Sequence, residues 1–489
     1  MKLSYFIIVL ISFQALIQNK YIENGDKLFT EGKKYQNSGW SEKAYQSFLK
    51  AIKSYKEALK KQPNNPVIYY KIGKSYYQIR YWKKAIENFK RAVDLSPDSV
   101  NFQIDLGYAY WKNMMFRESK KVFQKAVLYE NLTGEQLNKL GFGFFKCNEI
   151  EKSIELFEKA IQKNQYNGIF HGNLAYALQW KTFYSSKNNY EKIVKEYEYG
   201  IKYSPDYLHN YIRYGLFLEE EKKFFRALKI YEKGIKKNPD FYLLYYYRDR
   251  IKLKYSGNPG VKKEVINEIK KLLDEKAHNA NLLEAASFIY SILKDKKSER
   301  EINLKLMNRF PHSRSAENIL YNYFLMESSP DKKIKLAEDY LRKYPYSADG
   351  YLQSIYLSLF SICLLDSIYY KKALNWGKKM IQYTHSNEHT VYLDFVRNLV
   401  NKGIFLDEAI IYGNKGIKVI LTKTIKDVPY SYNKTKWENK INDCILEIKE
   451  NIGWAYFLKG NLKQALNILQ EVEKKKDYEK KILYKIGFI

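Results

Sequence analysis

The chain has 489 residues, enough for several globular domains or for one long repeat array. Lysine and arginine number 84 against 54 aspartates and glutamates, and this net charge of +30 favours anionic partners or surfaces without indicating a fold. Three widely spaced cysteines, Cys147, Cys363 and Cys444, exclude both a disulfide framework and a cysteine metal cluster.

The first twenty residues, Met1–Lys20, form an apolar segment that runs from Leu3 to Ile17 after a single early lysine. The run is short for a membrane-spanning helix and has the length of a signal-peptide core. It shows no Ala-x-Ala cleavage site, and the lack of a following cysteine excludes a bacterial lipoprotein anchor. We expect a signal peptide or an uncleaved N-terminal membrane anchor, and a protein that is exported, periplasmic or associated with the cell envelope. The alternative is a first helix that packs onto the rest of the chain.

The 34-residue stretch Pro66–Ser99 carries the pattern of two successive helices that pack on each other. Large and small residues share one face of each helix, and a proline follows the second helix: Tyr69, Ile72, Gly73 and Tyr76, then Ala85, Phe89 and Ala92, then Pro97. The same spacing recurs along the chain, since Gly73, Gly107 and Gly141 lie one repeat length apart without any offset. The pattern resembles a tetratricopeptide repeat, whose two-helix unit needs neighbours to bury its apolar face.

The resemblance divides the chain into regions of different clarity. Residues 21–241 match the repeat well, residues 242–445 form degenerate helical repeats, and residues 446–489 hold a last repeat with a partial capping repeat. We expect loops at Thr182–Asn189, as an insertion between two helices, at Tyr255–Gly260 and at Thr422–Trp437. The resemblance therefore implies an all-α solenoid, a superhelix of about eleven or twelve hairpins.

The resemblance also implies a site, because in this family the first helix of each repeat lines a concave groove that binds partner segments. Mapped onto this chain, the lining positions are aromatic with lysines between the rings. They are Tyr70, Lys74, Tyr77, Tyr108, Trp111, Lys112, Asn138, Phe142, Phe145, Lys146, Tyr176 and Trp180. Some of these rings could instead pack between neighbouring repeats. The lysine and asparagine pattern with which one subtype grips a C-terminal carboxylate is missing here, which disfavours a receptor for chaperone tails.

One stretch imitates a catalytic motif. His385, Glu388 and His389 match the H-x-x-E-H order of an inverted zinc-protease motif. They fall at the junction of two hairpins, where a polar turn is expected, and no third ligand is evident. We therefore expect no catalytic, cofactor or metal site.

The sequence favours a non-enzymatic scaffold or adaptor that binds another protein in the groove, within a cell-envelope complex. The alternative is a basic superhelix that binds RNA or another anionic polymer, which the net charge supports and the expected export disfavours. The sequence leaves open the identity of the partner and the oligomeric state.

Overall fold

A computed structural model describes residues 2–184, 189–256, 258–276, 278–383, 390–424 and 434–474. These residues form 24 α-helices and, within the described ranges, no β-strand. The helices follow one another as twelve hairpins of two consecutive helices, which we number in chain order. The expected all-α repeat architecture is confirmed. The chain divides into two compact units, Met1–Ser347 and Ala348–Ile489.

Unit 1, Met1–Ser347, contains hairpins 1 to 9. Its helices are α1 (Lys2–Asn37), α2 (Ser41–Lys61), α3 (Pro66–Gln78), α4 (Trp82–Leu95), α5 (Val100–Lys112), α6 (Phe116–Ala126), α7 (Gly134–Lys146), α8 (Ile150–Lys163), α9 (Gly168–Tyr184), α10 (Tyr190–Tyr203), α11 (His209–Glu220), α12 (Phe224–Lys237), α13 (Leu243–Tyr255), α14 (Pro259–Lys276), α15 (Ala280–Ile292), α16 (Lys296–Arg309), α17 (Arg314–Met326) and α18 (Pro330–Lys343).

Unit 2, Ala348–Ile489, contains hairpins 10 to 12 in its described part. Its helices are α19 (Asp349–Cys363), α20 (Tyr370–Gln382), α21 (Thr390–Lys402), α22 (Leu406–Val419), α23 (Lys434–Leu458) and α24 (Leu462–Glu473). A short 3₁₀ helix, Ser367–Tyr369, precedes α20, and a π-helical turn, Ile420–Thr424, follows α22. Helix α23 packs against both α21 and α22.

Hairpins 1 to 4 and hairpin 6 close where a glycine of the first helix meets a large ring of the second. A Cβ on Gly73 would lie 2.7 Å from the Phe89 ring, and one on Gly141 would lie 2.8 Å from the Phe157 ring. The missing side chain thus lets the two helices approach until the ring fills the gap between them. In hairpin 3, Ser119 takes the place of the usual alanine, and its hydroxyl donates to the carbonyl of Gly107 at 2.8 Å.

The turns inside eight of the twelve hairpins use a residue in the left-handed backbone region. Arg80, Met114 and Asn148, one repeat length apart, have φ values of 66°, 65° and 63°. Gly460 supplies the same turn in hairpin 12 with a φ of 78°. L-residues reach this region only at a cost, so several turns hold strain that glycine would relieve.

Unit 1 curves so far that its first hairpins touch hairpins seven places later. The Ala280 amide donates to the Gly39 carbonyl at 3.2 Å, and the rings of Tyr45 and His312 stack with centroids 3.7 Å apart. Arg80 and Glu317 form an ion pair at 2.5 Å. We call this set of contacts, between hairpins 1 and 2 on one side and hairpins 8 and 9 on the other, the seam.

Two expected loops are wrong in part, because helices extend into them. Helix α9 continues through Tyr184, so only the later part of Thr182–Asn189 separates it from α10, and residues 185–188 lie outside the described range. At Tyr255–Gly260, α13 includes Tyr255, and α14 already begins at Pro259, a residue suited to a first helical turn.

The expected loop at Thr422–Trp437 is also wrong at both ends. The π-helical turn reaches Thr424, and α23 begins at Lys434, well before the predicted start of the last repeat at Leu446. The extra turns of α23 bury Trp437, Ile441 and Ile445 on one face. The lysines and asparagines between these positions hid the helical period.

Two other predictions fall mainly outside the described residues. The stretch His385–His389 is not described, nor are residues 475–489, which include most of the partial capping repeat. The N-terminal segment is part of α1, which runs from Lys2 to Asn37 as one helix. Within the part of the chain that the structure describes, no helix has the length and apolar character needed to cross a membrane. The domain boundaries and the signal peptide stay predictions.

Candidate partner-binding groove

The predicted groove residues lie on the first helices of hairpins 2 to 5, namely α3, α5, α7 and α9. Phe145 is buried, Trp180 is 37% exposed, and the other ten predicted side chains are half-buried. These partly exposed side chains recur in register on the first helices of four consecutive hairpins. They therefore share one face, which we call the groove. The contacts of these side chains separate them into two groups.

The first group consists of three tyrosines with packing contacts: Tyr70 and Tyr108 join one repeat to the next, and Tyr77 packs within hairpin 2. The Tyr70 hydroxyl donates to Asp105 Oδ2 at 2.6 Å, and the Tyr108 hydroxyl donates to the Lys139 carbonyl at 2.6 Å. The Tyr77 ring meets Trp82 edge-on at 5.2 Å. Burial raises the pKa of all three tyrosines, so their hydroxyls stay neutral donors. These tyrosines have a packing role, whether or not they also touch a partner.

Lys74 lies at this end of the groove, above rings rather than beside an acid. Its ammonium is 5.4 Å from the Tyr70 ring centroid and 5.5 Å from that of Phe29. A lysine held over aromatic faces keeps its charge available while the rings partly stabilise it.

The second group is a cluster of five rings that we call the aromatic patch: Trp111, Phe142, Phe145, Tyr176 and Trp180. The Phe145 ring is central, with centroids 6.1 Å from Phe142, 4.9 Å from Tyr176 and 6.0 Å from Trp180. Three consecutive hairpins contribute these rings, because the helix period brings the same repeat positions onto one face. The rings of hairpins 4 and 5 contact one another, and Trp111 of hairpin 3 joins them through Lys146, whose ammonium lies over both Trp111 and Phe142.

Cations lie over the aromatic patch. The Lys146 ammonium is 5.0 Å from the Phe142 centroid and 5.2 Å from that of Trp111, while Lys112 is 5.1 Å from Trp111. The guanidinium of Arg213, on α11, is 4.8 Å from the Tyr176 centroid. Among the described residues, no carboxylate forms an ion pair with any of these three side chains. The patch therefore presents positive charge that is not neutralised locally.

Burial and neighbouring cations perturb the two lysines. The pKa of Lys112 falls to about 8, because burial disfavours its charged form and because Arg314, Arg80 and Lys146 repel it. The pKa of Lys146 is lowered in the same way, by burial and then by Arg213 and Arg314. A bound anion would relieve this repulsion, which makes the site receptive to negative charge.

A chain of polar side chains links the groove across three hairpins. The Asn173 amide donates to Asn138 Oδ1 at 2.8 Å, and Arg213 Nη1 donates to Asn173 Oδ1 at 2.6 Å. Asn138 was predicted as a groove residue, and its position is held by this chain. The arrangement also fixes the Arg213 guanidinium above the aromatic patch.

Sequence reasoning missed Asn173, Arg213 and Arg314. Asn173 and Arg213 each stand one position after the fifth of their repeats, so a mapping that included the sixth position would have found them. Arg314 belongs to hairpin 9, and only the curvature of unit 1 brings it near Lys112 and Lys146. No local sequence signal marks Arg314.

Histidines near the groove have structural partners. His171 Nδ1 lies 2.6 Å from Glu196 Oε2, and its Nε2 lies 2.9 Å from the Gln165 carbonyl. Within the described ranges, no group of three or more histidine, cysteine, aspartate or glutamate side chains could hold a metal ion.

Comparisons with known proteins agree with this architecture. The family profile described as TPR repeat, the tetratricopeptide repeat, matches residues 46–79 and 82–113. The chain thus contains tetratricopeptide repeats, and the resemblance seen in its sequence is confirmed. No curated protein matches the chain.

Several solved structures resemble the chain at low identity. Yeast Tom70 is 14% identical, with 90% of this chain and 99% of that chain covered and a TM-score of 0.38. Pseudomonas aeruginosa pilF is 15% identical, covers 52% of this chain and 95% of its own, and has a TM-score of 0.31. YrrB, described as a TPR protein with an unusual peptide-binding site, is 15% identical, with coverages of 39% and 95% and a TM-score of 0.29.

Proposed function

We propose that the protein is a non-enzymatic scaffold that binds a segment of a partner protein in the groove, at the aromatic patch. The observation that carries this proposal is the set of cations, Lys112, Lys146 and Arg213, held over rings of the aromatic patch without a carboxylate partner in the described residues. Tetratricopeptide repeats form the scaffold of known protein-interaction proteins. The geometry supports the aromatic patch as the place where the partner would bind.

The chemistry of the site favours a segment that is both apolar and acidic. Aromatic side chains offer large contact areas and lose little conformational entropy on binding. Unpaired cations attract carboxylates and increase the rate of association. A segment that alternates acidic and apolar residues would use both features of the aromatic patch.

The cellular setting is a further part of the proposal. We propose that the scaffold works in a complex of the cell envelope, after export or at the end of an N-terminal anchor. This part depends on the sequence of Met1–Lys20, since a short apolar core after an early lysine is typical of export signals.

RNA or another anionic polymer is the competing ligand, because the net charge of +30 attracts any polyanion. Binding of this kind would weaken steeply with salt and would depend on charge more than on the shape of the aromatic patch. Unpaired cations confined to a ring cluster favour a protein segment, which the following experiment distinguishes from RNA.

The test is capture of partners on immobilised protein, before and after nuclease treatment. The variant Trp111→Ala/Trp180→Ala removes two rings of the aromatic patch. Its matched control, Tyr166→Ala/Phe225→Ala, removes two rings that lie outside the patch and are 65% and 70% exposed. We expect discrete proteins that resist nuclease and are lost only from the first variant. Recovery of nucleic acid alone, released by salt from all forms, would contradict the proposal.

A further inference from the structure

The seam turns the inner side of unit 1 into an enclosed space. Hairpins 2 to 6 carry the groove and the polar chain to Arg213, and they belong to the run of hairpins whose two ends meet at the seam. Because hairpins 1 and 2 touch hairpins 8 and 9 directly, the protein forms a closed circuit around whatever occupies the groove.

The seam has backbone as well as side-chain contacts. Beside the bond from the Ala280 amide to the Gly39 carbonyl, the Asn279 side chain donates to the Ser38 carbonyl at 3.2 Å. Gly39 has a φ of 75°, and a Cβ there would clash with the Asn279 side chain. Position 39 therefore requires glycine for two reasons, the left-handed backbone of the turn and the close approach of the opposite hairpin.

At its other end the seam contains a buried acid. The Glu317 side chain is only 5% exposed, and it pairs with Arg80 while accepting hydrogen bonds from Tyr340 at 2.9 Å and Ser347 at 2.5 Å. Tyr346 extends the contact, since its ring lies 4.2 Å from that of Tyr81. A buried carboxylate with three partners is costly to separate from them, so the seam favours the closed circuit.

Arg314 brings a further positive charge from hairpin 9 toward the groove. It begins α17, three residues before Glu317, and it acts electrostatically on Lys112 and Lys146 on the first helices. The wall opposite the aromatic patch therefore adds a cation to the same space. An acidic chain would be attracted from both sides.

We propose that the groove is a channel closed by the seam, and that it accepts an extended acidic segment of a protein by way of a free chain end. This inference rests on the proposed function, because it assumes that the partner binds at the aromatic patch. A folded domain or a segment between two folded domains enters only when the seam opens. The seam thereby selects partners with an unstructured terminus.

The experiment compares two probes on full-length protein with a covalently bridged seam. The bridge joins cysteines in Tyr45→Cys/His312→Cys through a short bis-maleimide, in a Cys147→Ser background with buried Cys363 and Cys444 left in place. The control bridge joins Glu158→Cys/Lys192→Cys, whose native side chains meet at 3.1 Å on neighbouring hairpins away from the seam.

One probe is a linear peptide in which Asp alternates with Leu and Ser, and the other is the same peptide fused to a folded domain at each end. We expect the seam-bridged protein to bind the linear peptide with the affinity of the control. Its affinity for the doubly capped peptide should be lower by about 10-fold or more. The control-bridged protein should bind both probes, because its seam can open.

Three results would overturn the inference. Equal binding of both probes to the seam-bridged protein would show that the channel is open. If the seam-bridged protein alone bound neither probe, chain ends would not enter the channel while the seam is closed. Loss of the capped probe from both bridged proteins would show that the caps, and not the seam, prevent binding. Failure of the linear peptide on every form, unbridged protein included, would instead refute the proposed function, and with it this inference.

Discussion

Arg80 Nη2 and Glu317 Oε2 lie 2.5 Å apart, although the two residues belong to hairpins 2 and 9. Arg80 lies in a left-handed turn with a φ of 66°. Glu317 also accepts hydrogen bonds from Tyr340 and Ser347. This pair links the curvature of unit 1 to the enclosure of its groove. Four predictions test the repeat packing, the turns, the seam and the charged groove separately.

The first prediction concerns the seam. Arg80→Ala leaves Glu317 buried without its cation, and we expect a loss of about 1–3 kcal/mol in the local stability of the seam. Hydrogen exchange should quicken in α17 and in the turn around Arg80. Arg342→Ala is the control, because Arg342 pairs with Asp339 at a side chain that is 76% exposed. Such a surface pair contributes about 0–1 kcal/mol. Unchanged exchange in α17 after Arg80→Ala would contradict this account.

The second prediction concerns the turns inside the hairpins. Lys222 is exposed and has a φ of 56°. Lys222→Gly removes a backbone strain of about 1–2 kcal/mol but adds about 0.5–1 kcal/mol of unfolded-state entropy. We expect a net gain of roughly 0.5–1 kcal/mol in urea unfolding monitored at hairpin 6. Lys222→Ala keeps the strain and should give no such gain, so equal stabilisation by both variants would refute the explanation.

The third prediction concerns the contact between glycine and ring. Gly141→Ala places a methyl group 2.8 Å from the Phe157 ring, and we expect destabilisation by about 1–3 kcal/mol from overpacking. Phe157→Leu frees part of this space at its own cost. In a double-mutant cycle the two changes should therefore cost less together than the sum of the single changes. Strict additivity would show that the methyl group and the ring do not compete for the same volume.

The fourth prediction concerns pH. The pKa of Lys112 is about 8, so the lysine is charged below this pH and neutral above it. The lowered pKa of Lys146 acts in the same direction. Affinity for the acidic linear peptide should therefore fall as the pH rises from about 7 to about 9, as fluorescence anisotropy can measure.

The control for this prediction is Lys112→Arg, since a guanidinium stays charged throughout this range. It should retain more affinity at high pH than the wild-type protein does. Lys112→Gln should bind weakly at every pH. A wild-type affinity that does not change across the range would show that Lys112 does not contact the acid.

The sequence sufficed for the repeat architecture because its determinants are local. Gly73 and Phe89 belong to one hairpin, and their spacing of 16 residues recurs at Gly141 and Phe157. It did not suffice for α23, since the lysines around Trp437 and Ile441 resemble a loop in composition while every fourth residue is buried. At this stretch the composition indicated a loop and the periodicity indicated a helix. The residues that are buried are those that the helical periodicity predicts.

The candidate site was predictable only in part for a similar reason. Trp111 and Phe145 occupy equivalent repeat positions, as do Phe142 and Tyr176, so their alignment on one face follows from the period. Whether a ring is exposed to a partner depends on its neighbours in the fold. Tyr70 donates a hydrogen bond to Asp105, whereas the Trp180 side chain is partly exposed. The seam depends on the superhelical pitch, a sum of small rotations between hairpins that no single repeat encodes.

The central claim is that the aromatic patch contacts a protein segment. The most direct measurement places the photocrosslinking residue benzoylphenylalanine at Trp180, in the patch, or at Phe225, outside it, and identifies the crosslinked products in source cells by mass spectrometry. We predict crosslinks from position 180 to discrete, acidic protein segments, with none of these from position 225. Crosslinks from position 180 to nucleic acid alone, or the same products from both positions, would contradict the claim.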